Sequence, residues 1–296
     1  MRNAFIEELV ALAAEHPQVA LVVGDLGYSV VEPFADRFPD RFINAGVAEQ
    51  NMTGLAAGMA SEGYHVFTYS IANFPSFRCA EQIRNDVDYH RLPVTVVAVG
   101  GGLAYGALGY SHHAVQDYAL FRSFPNMTIA APGDPMEVRA CMRWLIANPR
   151  PSYLRLGKAG EPVFHKNVPE VEPGRWLRVA AGDDPQGGTL LSTGATLGLA
   201  MERHEGETSG RRFAVHSLPL WGMASKTKQA EQVVHYSEVV TLEDHLQDGG
   251  FGSWLLESVA SRADLLCRLR AQALDPRVCG TVGSQAALNL WGGLKA

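Results

Sequence analysis

Short apolar runs alternate along the chain with segments in which apolar residues recur every three or four positions. Continuous runs such as Val19–Val23 and Val94–Val99 are typical of strands that are buried on both faces of a parallel sheet. In the first half, the pattern predicts strands at residues 19–23, 42–44, 66–70, 94–99, 127–131 and 152–156, and helices at 3–15, 76–89, 115–122 and 135–147, with a further helix that begins near Glu49. This alternation predicts an α/β fold in which helices cover both faces of a parallel sheet.

The second half repeats the alternation after a change in composition. Residues 161–188 are rich in Pro, Gly, Glu and Asp, which indicates a linker with one short strand in it. The elements predicted beyond it are strands at 189–193, 213–217 and 239–242, and helices at 198–205 and 252–263. We therefore predict two parallel-sheet α/β domains, the first at residues 1–165 and the second at residues 188–296, joined by a linker at residues 166–187.

The composition excludes several classes of protein. The chain has 296 residues, a net charge of −6 and no run of Lys or Arg, so a nucleic-acid or anionic-membrane surface is not expected. Its apolar stretches fall far short of the ~20 residues that span a bilayer, and the acids near the start of the chain are atypical of a signal peptide. We therefore expect a cytoplasmic protein. The four cysteines are scattered without a C-x-x-C pair, so neither a zinc site nor a disulfide framework is predicted.

One carboxylate occupies an unusual position in the segment Phe42–Gly58. Met52, Leu55 and Met59 lie on the apolar face of a predicted helix that is rich in Ala and Gly, and Glu49 falls in or near its first turn. A carboxyl group in such a crowded place can share a proton with a ring nitrogen of a ligand. From this segment alone, a glutamate that satisfies free backbone donors at a helix start is the simpler interpretation.

Further motifs follow this segment in order, and together they resemble the transketolase family of thiamine diphosphate enzymes. Phe42–Gly58 is similar to the family's pyrimidine-binding motif, and Tyr69–Arg78 is similar to the aromatic segment that stacks on the cofactor's aminopyrimidine ring. Glu81–Asn85 resembles the helix that comes next, especially in transketolases that are split into two polypeptides. The other matching segments are Ser111-His112, Ala131–Pro135, Leu191–Gly194, Val240–His245 and Gly249–Ser253.

The resemblance implies roles for particular side chains. Glu49 corresponds to the family's catalytic glutamate, whose proton is shared with the pyrimidine nitrogen of thiamine diphosphate so that the thiazolium carbon can lose its own proton. Phe74 would stack on the aminopyrimidine with Phe77 beside it, although plain core packing would also explain both aromatics. His112 would contact substrate oxygens and assist proton transfer. Asp25 either meets the cofactor of a neighbouring chain or caps a loop.

The sequence departs from the family pattern in the substrate pocket. Leu108 stands where the family has an aspartate that reaches a sugar hydroxyl, and Gly100 stands where sugar-phosphate transketolases have a second histidine. Because leucine cannot hydrogen-bond a hydroxyl group, we expect a more apolar pocket than that of a pentose-phosphate transketolase. Lys158 stands at the phosphate-binding arginine of the family and keeps its charge without the bidentate fork, and Arg155 nearby is the alternative ligand.

One motif of the family is missing from this sequence. Transketolases hold the diphosphate through a metal ion and a Gly-Asp-Gly…Asn motif on a separate domain, whereas Gly24-Asp25 and Gly182-Asp183 do not continue in that pattern. The resemblance therefore implies the C-terminal subunit of a split transketolase, which is inactive alone. An N-terminal transketolase-type partner with that motif would supply Mg²⁺ and bind the diphosphate, and we expect a dimer of heterodimers.

The activity implied by the resemblance is transfer of a two-carbon ketol or acyl unit from a ketose or 2-oxo donor to an aldehyde or carbonyl acceptor. Two alternatives use a 2-oxo acid such as pyruvate. One is a condensation like that of deoxyxylulose phosphate synthase, and the other is the beta-type subunit of a 2-oxo-acid decarboxylase. A non-catalytic scaffold subunit that retains the fold is a further alternative.

Overall fold

The apolar runs of the sequence form strands in the computed structural model, which describes residues 1–208 and 211–295. Val19–Val23, Phe42–Asn44, Val94–Val99 and Ser152–Leu156 have the predicted bounds. The strands are β1 (Val19–Val23), β2 (Phe42–Asn44), β3 (His65–Ile71), β4 (Val94–Val99), β5 (Thr128–Ala130), β6 (Ser152–Leu156), β7 (Leu177–Ala180), β8 (Gly188–Ser192), β9 (Ala214–Ser217), β10 (Leu220–Trp221), β11 (Glu238–Leu246) and β12 (Leu269–Leu274).

The first sheet has the strand order β10-β5-β6-β4-β3-β1-β2. Strands β1 to β6 pair in parallel, and β1, β4 and β6 are buried along their whole length because apolar clusters cover both faces of the sheet. The edge strand β10 comes from the second half of the chain and pairs antiparallel with β5, with Leu220 opposite Ala130. This strand was not predicted, since two residues are too few to form a recognisable run.

The second sheet has the strand order β12-β11-β8-β9-β7. Its strands are parallel except for β7, which pairs antiparallel with β9. β7 lies inside the segment 166–187 that was predicted as a linker with one short strand. β11 continues to Leu246, beyond the predicted end at residue 242, and the edge strand β12 was missed because its exposed and partly buried residues alternate without an apolar run. The two-domain α/β class is confirmed, with an antiparallel edge strand added to each sheet.

Each predicted helix has a counterpart in the structure, and two of them differ from the prediction by more than one or two residues at an end. The predicted helix at 76–89 is divided into two short α-helices and a π-helix at Ile83–Asp88, and the predicted helix at 252–263 ends at Ser258. The helices in the described residues are α1 (Arg2–Glu15), α2 (Glu32–Arg37), α3 (Glu49–Ser61), α4 (Phe74–Phe77), α5 (Ala80–Gln82), α6 (Asp117–Phe121), α7 (Pro135–Ala147), α8 (Leu197–Gly206), α9 (Gln229–Val233), α10 (Phe251–Ser258), α11 (Ala263–Leu266) and α12 (Gln285–Trp291). Within residues 1–208 and 211–295, every helix is too short or too polar to cross a bilayer.

The carboxyl ends of four neighbouring strands form one edge of the first sheet. Strands β4, β3, β1 and β2 are adjacent and parallel, so the loops that follow them lie side by side. These loops and the helices that begin there carry the predicted residues Asp25, Glu49, Phe74, Leu108 and His112. Open α/β sheets bind ligands at this edge, so the fold places the candidate site where a ligand cleft is expected.

Candidate active site

Glu49 begins α3, directly after a turn at Gly46 that has a φ angle of +75°. Its side chain is only 4% exposed, and Nη1 of Arg78 lies 3.1 Å from each of its carboxylate oxygens. No backbone N–H of the described residues donates to this carboxylate, so the glutamate does not act as a helix cap. The structure therefore contains a buried carboxylate that faces a side chain rather than its own helix.

Phe74 lies at the start of α4, where β3 has ended, and its ring is partly exposed. The guanidinium carbon of Arg78 lies 4.4 Å from the centroid of this ring, in a cation–π contact. Phe74 and Arg78 are four residues apart in a helical segment, the spacing that brings side chains onto one face. Sequence reasoning included Arg78 in the aromatic motif but gave it no role, although this spacing beside a candidate stacking ring was the available signal.

His112 ends a 3₁₀ turn, Tyr110–His112, in the loop that follows β4. Its ring meets Phe74 edge-on, with 5.2 Å between the ring centroids. The Nδ1 atom is 3.0 Å from the hydroxyl oxygen of Ser111, and the side chain of Asn73 donates to the carbonyl oxygen of Ser111. Partial burial lowers the pKa of His112, with smaller contributions from the charges of His113 and Arg78. The loop thus presents a histidine beside Phe74.

The ring of Tyr105 lies near both His112 and Lys158, although the sequence gave no reason to single out Tyr105. The centroids of the Tyr105 and His112 rings are 6.4 Å apart, and Nζ of Lys158 lies 5.1 Å from the centroid of the Tyr105 ring. The ring of Tyr105 also fills the space that a side chain at Gly100 would occupy, and Gly100 has a φ angle of +81°. The ring of Tyr105 therefore occupies the space that any side chain larger than hydrogen at position 100 would need.

Three other predicted site residues lie on the same edge of the sheet. Asp25 is held in its loop by Asn44, whose Nδ2 donates to Oδ1 of Asp25 at 3.0 Å, and by the hydroxyl of Tyr28. Phe77 is 46% exposed at the end of α4, so it is not packed in the core. Leu108 is 57% exposed in the turn Gly106–Leu108. Their roles toward a cofactor or a substrate stay predictions.

Arg155 lies in a different environment, and its predicted role as a phosphate ligand is corrected. Its side chain is 2% exposed, and its Nε donates to Asp117 at 2.7 Å while its Nη1 donates to Asp244 of the second half. Nη2 donates to the carbonyl oxygen of Ala114 at 2.8 Å, and the guanidinium also covers the ring of Tyr118. Burial and pairing leave no donor of Arg155 open to a ligand, so it joins the two halves of the chain instead.

Glu243, next to Asp244 in the sequence, is another buried carboxylate. Its oxygens accept from the backbone N–H groups of Phe251 and Gly252, at the start of α10. Burial raises the pKa of Glu243 to about 8, against the effect of these two donors. The side chain is fully buried, so it stabilises the start of a helix and does not line the edge that carries Glu49.

Comparison with known proteins links this geometry to a family. Residues 1–160 match the transketolase pyrimidine binding domain. A protein of Methanocaldococcus jannaschii described as a transketolase C-terminal section is 35% identical over 266 residues, which cover 88% of this chain and 82% of that protein. One subunit of the apulose-4-phosphate transketolase of Phocaeicola vulgatus is 32% identical, over 88% of this chain and 83% of its own length.

Comparison of the fold leads to the same group of proteins. A split-gene transketolase chain, solved as an inactive β4 tetramer, superposes with a TM-score of 0.85 and 30% sequence identity. The superposition covers 99% of this chain and 93% of the solved chain. The similarity therefore extends through both sheets and is not confined to the segment around Glu49.

Proposed function

The chain belongs to the transketolase family as a C-terminal subunit of the split type, and from this premise we propose that it is one half of a thiamine diphosphate-dependent transferase. The reaction is transfer of a two-carbon ketol or acyl unit from a ketose or 2-oxo donor to an aldehyde or carbonyl acceptor. One observation carries the proposal: Arg78 contacts both the buried carboxylate of Glu49 and the partly exposed ring of Phe74, and the ring of His112 meets Phe74 edge-on.

The side chains present fit the aminopyrimidine half of the cofactor. A carboxyl group that faces away from its own helix can share a proton with a ring nitrogen, and a partly exposed aromatic ring can stack on a heteroaromatic ring. Glu49 and Phe74 supply these two groups, and both contact the guanidinium group of Arg78. When bound, thiamine diphosphate supplies a thiazolium ring that accepts the electrons of the broken carbon–carbon bond.

His112 is the group in this chain that we assign to substrate chemistry. Partial burial lowers the pKa of its imidazole, so the neutral form, which can accept a proton from a substrate hydroxyl, predominates at neutral pH. Ser111 occupies Nδ1 of the ring through the contact at 3.0 Å. The Nε2 atom is then the one we assign to exchange of a proton with the substrate.

The diphosphate and Mg²⁺ are assigned to a partner subunit. Among the described residues, no group of three or more His, Cys, Asp or Glu side chains could hold a metal ion. The sequence also lacks a Gly-Asp-Gly…Asn motif. We therefore infer that an N-terminal transketolase-type subunit with this motif binds the metal and the diphosphate, in a dimer of heterodimers, and that this chain alone is inactive.

Exposed apolar side chains support a protein partner at this edge of the sheet. Each of the four loops there, or the helix that follows it, presents at least one of them to solvent, and apolar side chains exposed in neighbouring segments are typical of an interface. The residues are Tyr28, Val47, Phe77, Leu108 and Tyr110. A partner that covers this surface would also enclose the space next to Glu49 and Phe74 and exclude water from it.

The substrate is less closely defined by the site. Lys158 places a cation next to the ring of Tyr105, which in turn lies near the ring of His112, and this is a suitable position for an anionic group of the donor or acceptor. Leu108 favours a less hydroxylated donor than a pentose phosphate, so the pyruvate-using alternative, condensation or decarboxylation, is kept as the second candidate. A scaffold role would not require Glu49, Phe74 and His112 to lie together.

The test is turnover by the two-chain complex with thiamine diphosphate and Mg²⁺, for the wild type and for Glu49→Gln. We expect wild-type turnover of a ketose or pyruvate and a loss of at least ~10²-fold in the variant, because a glutamine amide cannot share a proton in this way. Glu62→Gln, an exposed residue at the other end of α3, is the matched control and should retain activity. Equal rates for wild type and Glu49→Gln would refute the proposal.

A further inference from the structure

Arg78 contacts Phe74 and Glu49, the two residues that were assigned above to the aminopyrimidine ring of the cofactor. Its guanidinium group lies against the ring of Phe74 at 4.4 Å and donates to both oxygens of Glu49 at 3.1 Å. A guanidinium group is planar and carries its donors in its own plane, so it can stack and hydrogen-bond at the same time. In shape and in contacts, it resembles a small aminoheterocycle.

We propose that Arg78 is a positioning residue that holds the place of the aminopyrimidine ring until the cofactor binds, so that cofactor and guanidinium exchange on Phe74 and Glu49. The inference rests on the proposed function, because it takes these two residues as the pyrimidine site. It adds a residue and a step that the cofactor's own contacts do not require.

Burial of Glu49 explains why such a residue is needed. The carboxylate is only 4% exposed, and an ionised carboxylate in that position is costly unless a charge or donors accompany it. No backbone N–H of the described residues donates to it, so Arg78 is the donor that satisfies it. Without that pairing, the cofactor-free chain would bury an unsatisfied charge next to a partly exposed aromatic ring.

Exposure of Arg78 explains how the exchange can take place. Its side chain is 51% exposed, so the guanidinium can rotate into solvent without a rearrangement of the core. Arg78 follows α4 with helical φ and ψ angles, and rotation of its side chain requires no change in this backbone. The carboxyl group of Glu49, once released, can share a proton with a ring nitrogen, whereas a carboxylate that is paired with guanidinium only accepts hydrogen bonds.

Competition of this kind has a defined effect on affinity. A ligand that binds only when Arg78 has left the site has its apparent affinity reduced by the fraction of molecules in which the site is open. The cation–π contact with Phe74 and the half-exposed ion pair with Glu49 together favour the arrangement in which Arg78 occupies the site by about tenfold. Removal of the guanidinium should therefore tighten cofactor binding by about tenfold and increase its association rate, which is the opposite of what loss of a cofactor ligand would do.

The experiment measures binding of thiamine diphosphate with Mg²⁺ to the assembled two-chain complex by calorimetry and stopped-flow fluorescence. Arg78→Met keeps an unbranched side chain without charge, and we expect it to bind the cofactor about tenfold more tightly. Arg78→Lys keeps the charge without the plane and should show a smaller gain. Arg84→Met removes a cation from the exposed face of the neighbouring π-helix, where its contact is with Asn85, and should bind like the wild type.

A double-mutant cycle with Glu49 tests the mechanism. In the Glu49→Gln background the charge pair is absent, so Arg78→Met should gain clearly less than in the wild-type background. Circular dichroism and thermal unfolding of each variant verify that it is folded. Affinity that is unchanged or weaker in both Arg78→Met and Arg78→Lys would overturn the inference while leaving the proposed function intact. A wild-type complex that binds no thiamine diphosphate would refute the proposed function, and the inference with it.

Discussion

Replacement of Arg155 by methionine should strongly destabilise the chain, because this guanidinium neutralises carboxylates from both halves. Asp117 and Asp244 are themselves fully buried, and the hydroxyl of Tyr153 also donates to Asp117, at 2.6 Å. The network lies beneath the loop that leads to His112, since a side chain added at Gly102 would collide with the carboxylate of Asp244. Loss of the cation would leave two carboxylates buried without their partner.

The magnitude follows from this burial. Removal of one partner from a buried ion pair costs about 3–5 kcal/mol, most of which is the penalty for the unpaired charge that stays behind. A surface substitution usually changes stability by less than about 0.5 kcal/mol. Arg155→Met should therefore lower the free energy of unfolding by about 3–5 kcal/mol, and Lys158→Met, which removes an exposed cation three residues away, should leave it nearly unchanged.

Urea unfolding, followed by tryptophan fluorescence and circular dichroism, measures this difference. The triple variant with Asp117→Asn and Asp244→Asn removes the charges together with Arg155, and it should recover part of the lost stability because no uncompensated carboxylate remains. If Arg155→Met unfolded at the wild-type midpoint but lost affinity for a phosphorylated substrate, the structural role of Arg155 would be refuted. Arg155 would then again be a candidate phosphate ligand, the alternative to Lys158 that the family resemblance left open.

Three further predictions concern the pH dependence of stability, the preference for the donor substrate and the proton transfer assigned to His112. Burial raises the pKa of Glu137 from 4.5 to about 7, so between these pH values the folded state binds a proton that the unfolded state releases. The free energy of unfolding should therefore fall by about 3 kcal/mol as pH rises from about 4.5 to 7. Urea titrations across this range should show this fall, and Glu137→Gln should largely remove it. Leu108→Asp should raise kcat/KM for a ketose relative to pyruvate by about tenfold, because it restores an acceptor for a sugar hydroxyl; an unchanged ratio would place Leu108 outside the pocket. His112→Asn should lower kcat by roughly 10²–10⁴-fold while calorimetry shows unchanged cofactor binding, and full activity would exclude His112 as the acid/base.

The sequence predicted the centre of each sheet better than its edges. Val19–Val23 and Val94–Val99 are central strands, and burial on both faces demands an apolar residue at every position, so the run is visible in the sequence. The edge strands β7 and β12 are partly exposed and carry no such run. The position of β10 depends on a contact with β5, a strand from the first half of the chain, and no local pattern reports such a contact.

The candidate site shows the same limit for side chains. The assignment of Glu49, Phe74 and His112 to one site followed from the family motifs. The difference between Arg155 and Arg78 did not, since both are arginines in or near segments that the family resemblance covers. Only the three-dimensional structure shows that Arg155 is enclosed by two carboxylates, whereas Arg78 is half exposed on the ring of Phe74. The division into residues 1–165, 166–187 and 188–296 stays a proposal.

The most direct test of the split-site proposal is calorimetric titration of thiamine diphosphate with Mg²⁺ into this chain alone and into its complex with the diphosphate-binding subunit. In this proposal Glu49 and Phe74 bind the pyrimidine ring, and no group of His, Cys, Asp or Glu among the described residues could hold the metal ion of the diphosphate. We therefore predict no measurable heat of binding with the isolated chain and saturable binding with the complex. Tight, Mg²⁺-dependent binding to the isolated chain would contradict the proposal that the active site is divided between two subunits.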